Sequence, residues 1–371
     1  MKNRIDKFPV RLWILGLCSV VCLVFAGGIL IYEVHTVNKL YDQNMAKRWS
    51  QEKDVSQISV FFAEEIVEDE AYFIEIKHKV DSALKTASIM PEKEQARLWI
   101  DALSQNGKIE LASSRAKVEV KAVGVSGEFF QFHPQRIVSG ALLLEENRMK
   151  DGIVIDEDIA WQLFGSSQVA GMQVTLGNVP HYIAGVIERP EGRLEQAAGL
   201  DKPICFLSLE SLKKLGTVTG GFTYEIVLPN PVKGFAFSTM ESILGTGREE
   251  TRMVENTNRF EMISLLKIIK NYGIRSMSFD NIVYPYWENI ARGKEDVLAL
   301  LLFIKSVLLV IPGFFVISVS RYFWKNRTWK MQDGVVWIQD KVYEAGTRRR
   351  IRQERKQETE EREINEKEQI T

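Results

Sequence analysis

The sequence predicts a membrane protein in which two transmembrane α-helices flank an α+β extracytoplasmic domain. Leu12–Tyr32 carries no charge, and Val297–Val319 carries only Lys305. The long stretch between them alternates strand-like and helix-like apolar spacings and is long enough to bury a core of its own. The chain has 371 residues, with 48 Lys+Arg against 49 Asp+Glu and a net charge of −1. Nothing in that balance offers the basic footprint that nucleic acid requires, so none is expected as a partner.

Residues 1–11 read as a cytoplasmic N-terminus, because Lys2, Arg4, Lys7 and Arg11 precede the first apolar run and basic flanks stay inside the cell. Residues 12–32 form the first span, about the 20 residues that cross the hydrocarbon layer. A cleaved signal peptide is the rival reading, since Ala26-Gly27-Gly28 supplies small residues. The run continues through Ile29–Tyr32 without a polar break, which favours an uncleaved anchor.

Residues 33–296 read as the extracytoplasmic domain. Glu33–Trp49 looks helical, continuing the first span as a stalk. Ile58–Phe62 reads as a strand. Ala71–Ala87 is a helix with Phe73, Ile76, Val80 and Leu84 on one face, and Glu94–Leu103 suggests another. Val118–Val125 alternates as a strand does. The densest signal follows. Gly152–Ile155 is a short strand, and Asp156–Gly165 a helix with acids in its first turn and glycine as its stop. Met172–Leu176 and His181–Ile187 are strands joined by a turn that begins at Gly177-Asn178. Pro203–Ser208 and Phe222–Leu228 read as strands. Ser208–Leu215, Lys233–Leu244 and Arg259–Ile269 read as helices. Tyr284–Asp296 leads into the second span, with Tyr286 and Trp287 placed at the outer interface.

Residues 297–319 form the second span, followed by Arg321, Lys325, Arg327 and Lys330. Both spans therefore agree on a multi-pass protein with both termini inside. A single-spanning protein with a buried core helix at one end is the alternative, and the length and flanks of both runs oppose it. Lys305 lies within the second run, and an ammonium inside the membrane is a functional suspect by default. Its stem either snorkels outward to the headgroups or brings the charge to a partner helix or cavity. Pro312-Gly313 should kink the inner half, and Trp324 and Trp329 fit an interfacial belt. Residues 320–371 form a charged cytoplasmic tail with a basic patch at Arg348–Arg352, read as a solvated segment.

The 3 cysteines are Cys18 and Cys22 in the first span and Cys205 in an apolar strand. The domain therefore holds no internal disulfide, a hint of a bacterial cytoplasmic membrane. Cys205 reads as a core thiol.

No phosphate-binding loop occurs. The 4 histidines, His35, His78, His133 and His181, are scattered without metal-ligand spacing. Asp156, Glu157 and Asp158 read as helix-start acids, and Glu64-Glu65 and Glu68-Asp69-Glu70 as a solvated face. No catalytic, cofactor or metal site is expected, and the protein is not expected to be an enzyme.

One ordered series of short motifs remains. Val123-Gly-Val-Ser-Gly-Glu-Phe-Phe130 is followed by Ile137-Val-Ser-Gly140, Ile153 to Leu163-Phe164-Gly165, Val169-Ala-Gly171 and Tyr182-Ile-Ala-Gly185-Val186. In order and spacing this series resembles the periplasmic core domain of the MacB-like ABC permease family, which includes macrolide-exporter, lipoprotein-release and FtsX-type permeases. The resemblance implies structural roles for these residues: glycines for turns, and Leu163 and Phe164 for the core. It implies a permease-like subunit or accessory protein that couples membrane helices to an outer domain, working with a separate ABC ATPase and a multi-span permease or with copies of itself. Family permeases carry further spans and a cytoplasmic loop that meets the ATPase, where this chain has its charged tail. A membrane-anchored binding or scaffold module without transport is the alternative function.

Overall fold

The structure is a computed structural model. It describes residues 9–50, 54–64, 70–91, 93, 96–145, 149–245, 251–270, 282–325, 339–344 and 346–347. The expectations for Lys2, Arg4, Lys7, Glu65, Glu68, Asp69, Arg327, Trp329, Lys330 and the basic patch Arg348–Arg352 lie outside the described residues. Two candidate transmembrane helices flank an α+β domain.

In chain order the elements are α1 (Val10–Asn38), α2 (Met45–Trp49), β1 (Val55–Phe62), α3 (Glu70–Thr86), β2 (Ile100–Ala112), β3 (Lys117–Gly127), α4 (Phe129–Phe132) and β4 (Arg136–Gly140). There follow β5 (Gly152–Asp156), α5 (Glu157–Phe164), β6 (Gln173–Leu176), β7 (Val179–Glu188), α6 (Arg193–Glu195), β8 (Ile204–Ser208) and α7 (Leu209–Leu215). The remainder are β9 (Thr217–Pro229), α8 (Phe235–Leu244), β10 (Thr251–Glu255), α9 (Met262–Lys270) and α10 (Tyr286–Lys325).

The chain divides into two units, residues 26–306 and residues 1–25 with 307–371. The larger unit is built on one mixed sheet in the order β10-β1-β9-β2-β3-β8-β5-β7-β4, with β6 pairing β2 and β7. β3 and β8 run parallel, as do β5 and β7. Side chains alternate between faces along each strand. On one face, Ile58, Val60 and Phe62 of β1 and Phe222, Tyr224, Ile226 and Leu228 of β9 form a core with α3 and α8. On the other, Val227 joins α2, α4 and Trp287. A third core lies under α5 and α7, where Leu163, Val186 and Cys205 are buried. Burial and the nearby Asp156 carboxylate push the Cys205 thiol pKa up, as an inert core thiol requires.

The strand–helix–hairpin stretch shows how local chemistry sets these elements. The Asp156 carboxylate caps α5 by accepting from the Ile159 amide at 2.9 Å. Gly165 ends the helix at φ +73°, a left-handed conformation that glycine adopts without strain. Gly177 and Asn178, both at positive φ, make the tight turn between β6 and β7.

Three expectations are corrected. Of the stretch Glu94–Leu103, expected as a helix, residues 94–95 lie outside the described residues, residues 96–99 are not helical, and β2 begins at Ile100. Lying between β9 and β3, this strand is buried on both faces through its first half, so no period-2 pattern marks it. The stalk is not one helix through Trp49. α1 ends at Asn38, and the Asn44 side chain donates to the Val37 carbonyl at 2.8 Å, turning the chain into a 3₁₀ turn at Tyr41–Gln43. Trp287 does not sit at an interface but is 2% exposed in the domain core.

α10 runs for 40 residues, about 60 Å at 1.5 Å per residue, roughly twice the hydrocarbon thickness. Its first turns carry the buried Trp287, Glu288, Ala291 and Glu295. In the smaller unit a Cβ on Gly16 of α1 would lie 3.2 Å from the Phe315 ring of α10. Glycine at that position lets the two helices approach closely.

Candidate functional site

The polar side of β1 sets the site. Ser59 faces Glu225 across the antiparallel β1–β9 pair, and its hydroxyl donates to Glu225 Oε1 at 2.6 Å. Both point away from the α3–α8 core, as the period of two dictates. A buried carboxylate needs partners, and Glu225 finds a second one in His133, which follows α4.

His133 is fully buried. Its Nε2 meets Glu225 Oε2, and its Nδ1 lies 2.8 Å from Asp42 Oδ1 in the 3₁₀ turn after α1. A neutral imidazole carries one N–H, so facing a carboxylate at each nitrogen is satisfied by the doubly protonated ring. Burial alone lowers its pKa, but the charge of Glu225 and the hydrogen bonds to Asp42 and Glu225 outweigh burial and raise it to about 9. The ring also stacks on Phe129 at 4.6 Å.

From Ser59 the network continues. The Asn256 side chain donates to the Ser59 hydroxyl at 2.8 Å, and Arg259 Nη1 donates to Asn256 Oδ1 at 3.1 Å. Arg259 forms a bidentate fork on Glu288 at 2.6 and 2.8 Å and donates from Nε to Glu295 at 2.6 Å. Burial opposes the Arg259 charge, but the two carboxylates win and raise its pKa well above the ordinary guanidinium value. Arg292 donates to Glu288 at 2.9 Å and lies 3.5 Å from the centre of the Tyr284 ring. Beside this path, Gln57 donates to the Asp42 carbonyl at 2.6 Å and accepts from the Met45 amide at 2.8 Å.

The whole is a polar joint. It fastens the exit of α1 (Asp42) and the entry of α10 (Glu288, Arg292, Glu295) to the sheet through β1, β9 and His133. Breaking a buried pair strands a charge and costs about 3–5 kcal/mol, so the joint resists separation of the helix ends from the sheet. A second ion pair joins the helices directly: the Lys305 ammonium on α10 meets Glu33 of α1.

The residues picked out by the motif series lie elsewhere. Gly140 and Gly185 oppose each other in the β4–β7 pair. Gly140 has φ +75°, and a Cβ there would lie 2.8 Å from Ala170 Cβ and 2.9 Å from Gly185 Cα. Leu163 and Val186 are buried, and Phe164 packs on the same core. Gly165 caps α5, Gly171 has φ +84° and donates its amide to the Ile183 carbonyl at 2.8 Å, and Tyr182 is exposed. These residues shape one end of the sheet and do not enter the joint.

Sequence reading missed His133, Asp42, Glu225, Arg259, Glu288, Arg292, Glu295 and Glu33 as a set. Two signals were present. Glu225 is an acid inside an otherwise uncharged strand, and Glu288, Arg292 and Glu295 are spaced for one helix face.

The model of the MacB-like periplasmic core domain matches residues 14–232. No curated protein matches the sequence. Among solved structures, the chain is similar to the periplasmic region of MacB from Actinobacillus actinomycetemcomitans, with 14% identity over 60% of this chain and 94% of that one, at a TM-score of 0.38. It is also similar to the extracellular domain of the noncanonic ABC-type transporter YknZ from Gram-positive bacteria, with 12% identity over 53% and 99% and a TM-score of 0.33. A permease-protein domain from Porphyromonas gingivalis gives 13% identity over 58% and 97%, with a TM-score of 0.32. The matched stretch takes in Asp42, Ser59, His133 and Glu225 and ends before Asn256, Arg259 and the acids of α10.

Proposed function

The chain belongs to the MacB-like periplasmic core domain family, that of ABC transporter permeases rather than enzymes, and from this premise we propose that it is a permease-like subunit or accessory protein of an ABC-type export or mechanotransmission system. In this reading residues 12–32 and 297–319 span the bacterial cytoplasmic membrane, residues 33–296 lie outside, and both termini lie inside. A separate ATPase acts with a multi-span permease or with further copies of this chain. Displacement of the helix ends passes to the outer domain. Gly140, Gly165, Gly171 and Gly185 hold turns and close approaches there, with Leu163, Phe164, Tyr182 and Val186 completing the far end of the domain. Lys305 holds the two helices together.

The observation that carries the reading is the polar joint. Asp42 and Glu288 sit where the two membrane helices meet the domain, and charge-assisted hydrogen bonds link each toward the sheet, Asp42 through His133 and Glu288 through Arg259. Such bonds are short and directional, so a helix end held by them moves the sheet with it.

The test is affinity purification of the tagged full chain from bacterial membranes, with ATP present and after ATP depletion. Co-purification with an ABC ATPase and a multi-span permease is expected. A cross-link from the domain to its outer partner should change when ATP is depleted. Capture of outer partners alone, unaffected by ATP, would overturn the reading in favour of an anchored binding or scaffold module.

A further inference from the structure

α9 has no role in the joint, yet it sits at a telling height. Its Leu265 packs with Leu298, Ala299 and Leu302 of α10, together with Val37 near the end of α1 and its own Ile268 and Ile269. Leu298 to Leu302 are the first residues of the long apolar run of α10, so α9 lies beside the place where that helix passes from polar to apolar surroundings. Immediately before it, Arg259 anchors the segment to Glu288 and Glu295.

The outer side of α9 is apolar and uncovered. Met262 and Ile263 are each 62% exposed and Leu266 is 49% exposed. At 100° per residue these three fall on one face of the helix. Lys267 and Lys270 are exposed, with no ion partner among the described residues. At the same level, but on the side of α10 turned away from α9, Val297, Leu300, Phe303 and Ile304 are exposed, as side chains that meet acyl chains in a spanning helix are. Leu265 packs on the first turns of the apolar run of α10, so the exposed face of α9 lies at the level where that helix meets lipid. A short helix with an apolar face, one lysine at the edge of that face (Lys267) and one at its C-terminal end (Lys270), whose stem can reach outward to the headgroups, has the pattern of a helix lying in the membrane interface.

We propose that α9 is an interfacial anchor: Met262, Ile263 and Leu266 insert among the lipids of the outer leaflet, and Lys267 and Lys270 meet the phosphates of their headgroups. Arg259 links this anchor directly to the polar joint, so the lipid surface holds the joint at a fixed depth. The inference rests on the two spanning helices and not on the transport reading.

The test uses the full chain with Cys18→Ala and Cys22→Ala, leaving Cys205, whose thiol is buried. Leu266→Cys, and separately Ile263→Cys, is labelled with a nitrobenzoxadiazole fluorophore. Each protein is reconstituted into phosphatidylcholine–phosphatidylglycerol vesicles that contain doxyl lipid. Trp161→Cys on α5, exposed on a different part of the domain, serves as the control. The expected result is strong quenching at 263 and 266 by lipid doxyl groups close to the headgroup, weak quenching by aqueous iodide, and the reverse pattern at 161. Iodide quenching at 263 and 266 would place this face in water and overturn the proposal. Quenching by neither would mean that protein, including a second copy of this chain, covers the face, and would overturn it equally. An absent ATPase in the purification above leaves this result unaffected.

Discussion

The imidazole of His133 stacks on the indole of Trp287, with ring centroids 4.2 Å apart and planes tilted by 40°. One residue follows α4 in the middle of the domain, and the other is the second residue of α10. A protonated ring over an indole face gains cation–π attraction when desolvated, so the charge on His133 helps hold the start of the second helix.

That charge gives a pH dependence with a definite sign. The folded pKa of about 9 lies above the ordinary value of 6.5, so the stabilisation is fully present below pH 6.5. It declines as pH rises and is gone above pH 9. A shift of this size corresponds to roughly 3 kcal/mol. Thermal unfolding of the purified chain should show a falling midpoint across that window, and His133→Gln should remove most of the slope. A flat wild-type profile would show that the ring is neutral.

Arg259 has the largest predicted mutational effect. Arg259→Met strands Glu288 and Glu295, both buried, at a cost of about 3–5 kcal/mol. Removing all three charges together, as Arg259→Met, Glu288→Leu and Glu295→Leu, should destabilise less than Arg259→Met alone. Denaturant unfolding in detergent compares the two. A triple variant weaker than the single would mean that packing, rather than stranded charge, sets the cost.

The Lys305–Glu33 pair should behave as a coupled unit. Either alanine substitution leaves the other charge without its counter-ion. The double-mutant cycle should return a coupling of about 0.5–3 kcal/mol. The reversed pair, Glu33→Lys with Lys305→Glu, should recover part of the loss. Unfolding of the four proteins in one detergent measures this, and additive single effects would separate the two side chains energetically.

Two glycines at similar φ should respond differently. Gly165→Ala meets open space and should cost only the left-handed penalty of about 1–2 kcal/mol, with Gly165→Asn milder still. Gly140→Ala adds contacts of 2.8 and 2.9 Å with Ala170 and Gly185 and should cost more than Gly165→Ala. Equal losses of midpoint temperature for the two alanine variants would show that β4 shifts to make room.

Local signals made much of this architecture readable. Asp156 and Gly165 bracket α5, Gly177-Asn178 turns β6 into β7, and the two apolar runs mark the spanning helices, because each depends on neighbours a few residues away. β2 was hidden because a central strand buried on both faces loses its alternation, with Asp101, Ser104 and Gln105 inside it. The joint was hidden for a different reason. His133 meets Asp42 across 91 positions and Glu225 across 92, and no local period records such pairings. Trp287 illustrates the same limit: its position before an apolar run suggests a membrane interface, and only the tertiary fold supplies Phe129 and His133 as its surroundings.

The position of β1 bears on how the protein is made. This strand leaves the ribosome first among those of the sheet, yet its strand partners among the described residues are β9 and β10, and Ser59 waits for Glu225 through 166 further residues. At roughly 5–20 residues per second, that is a delay of about 10–30 s. Throughout it, the apolar face formed by Ile58, Val60 and Phe62 has no β9 to pack with. A nascent chain of this design therefore carries that apolar face without its strand partner until β9 emerges, with the second apolar run still to be made.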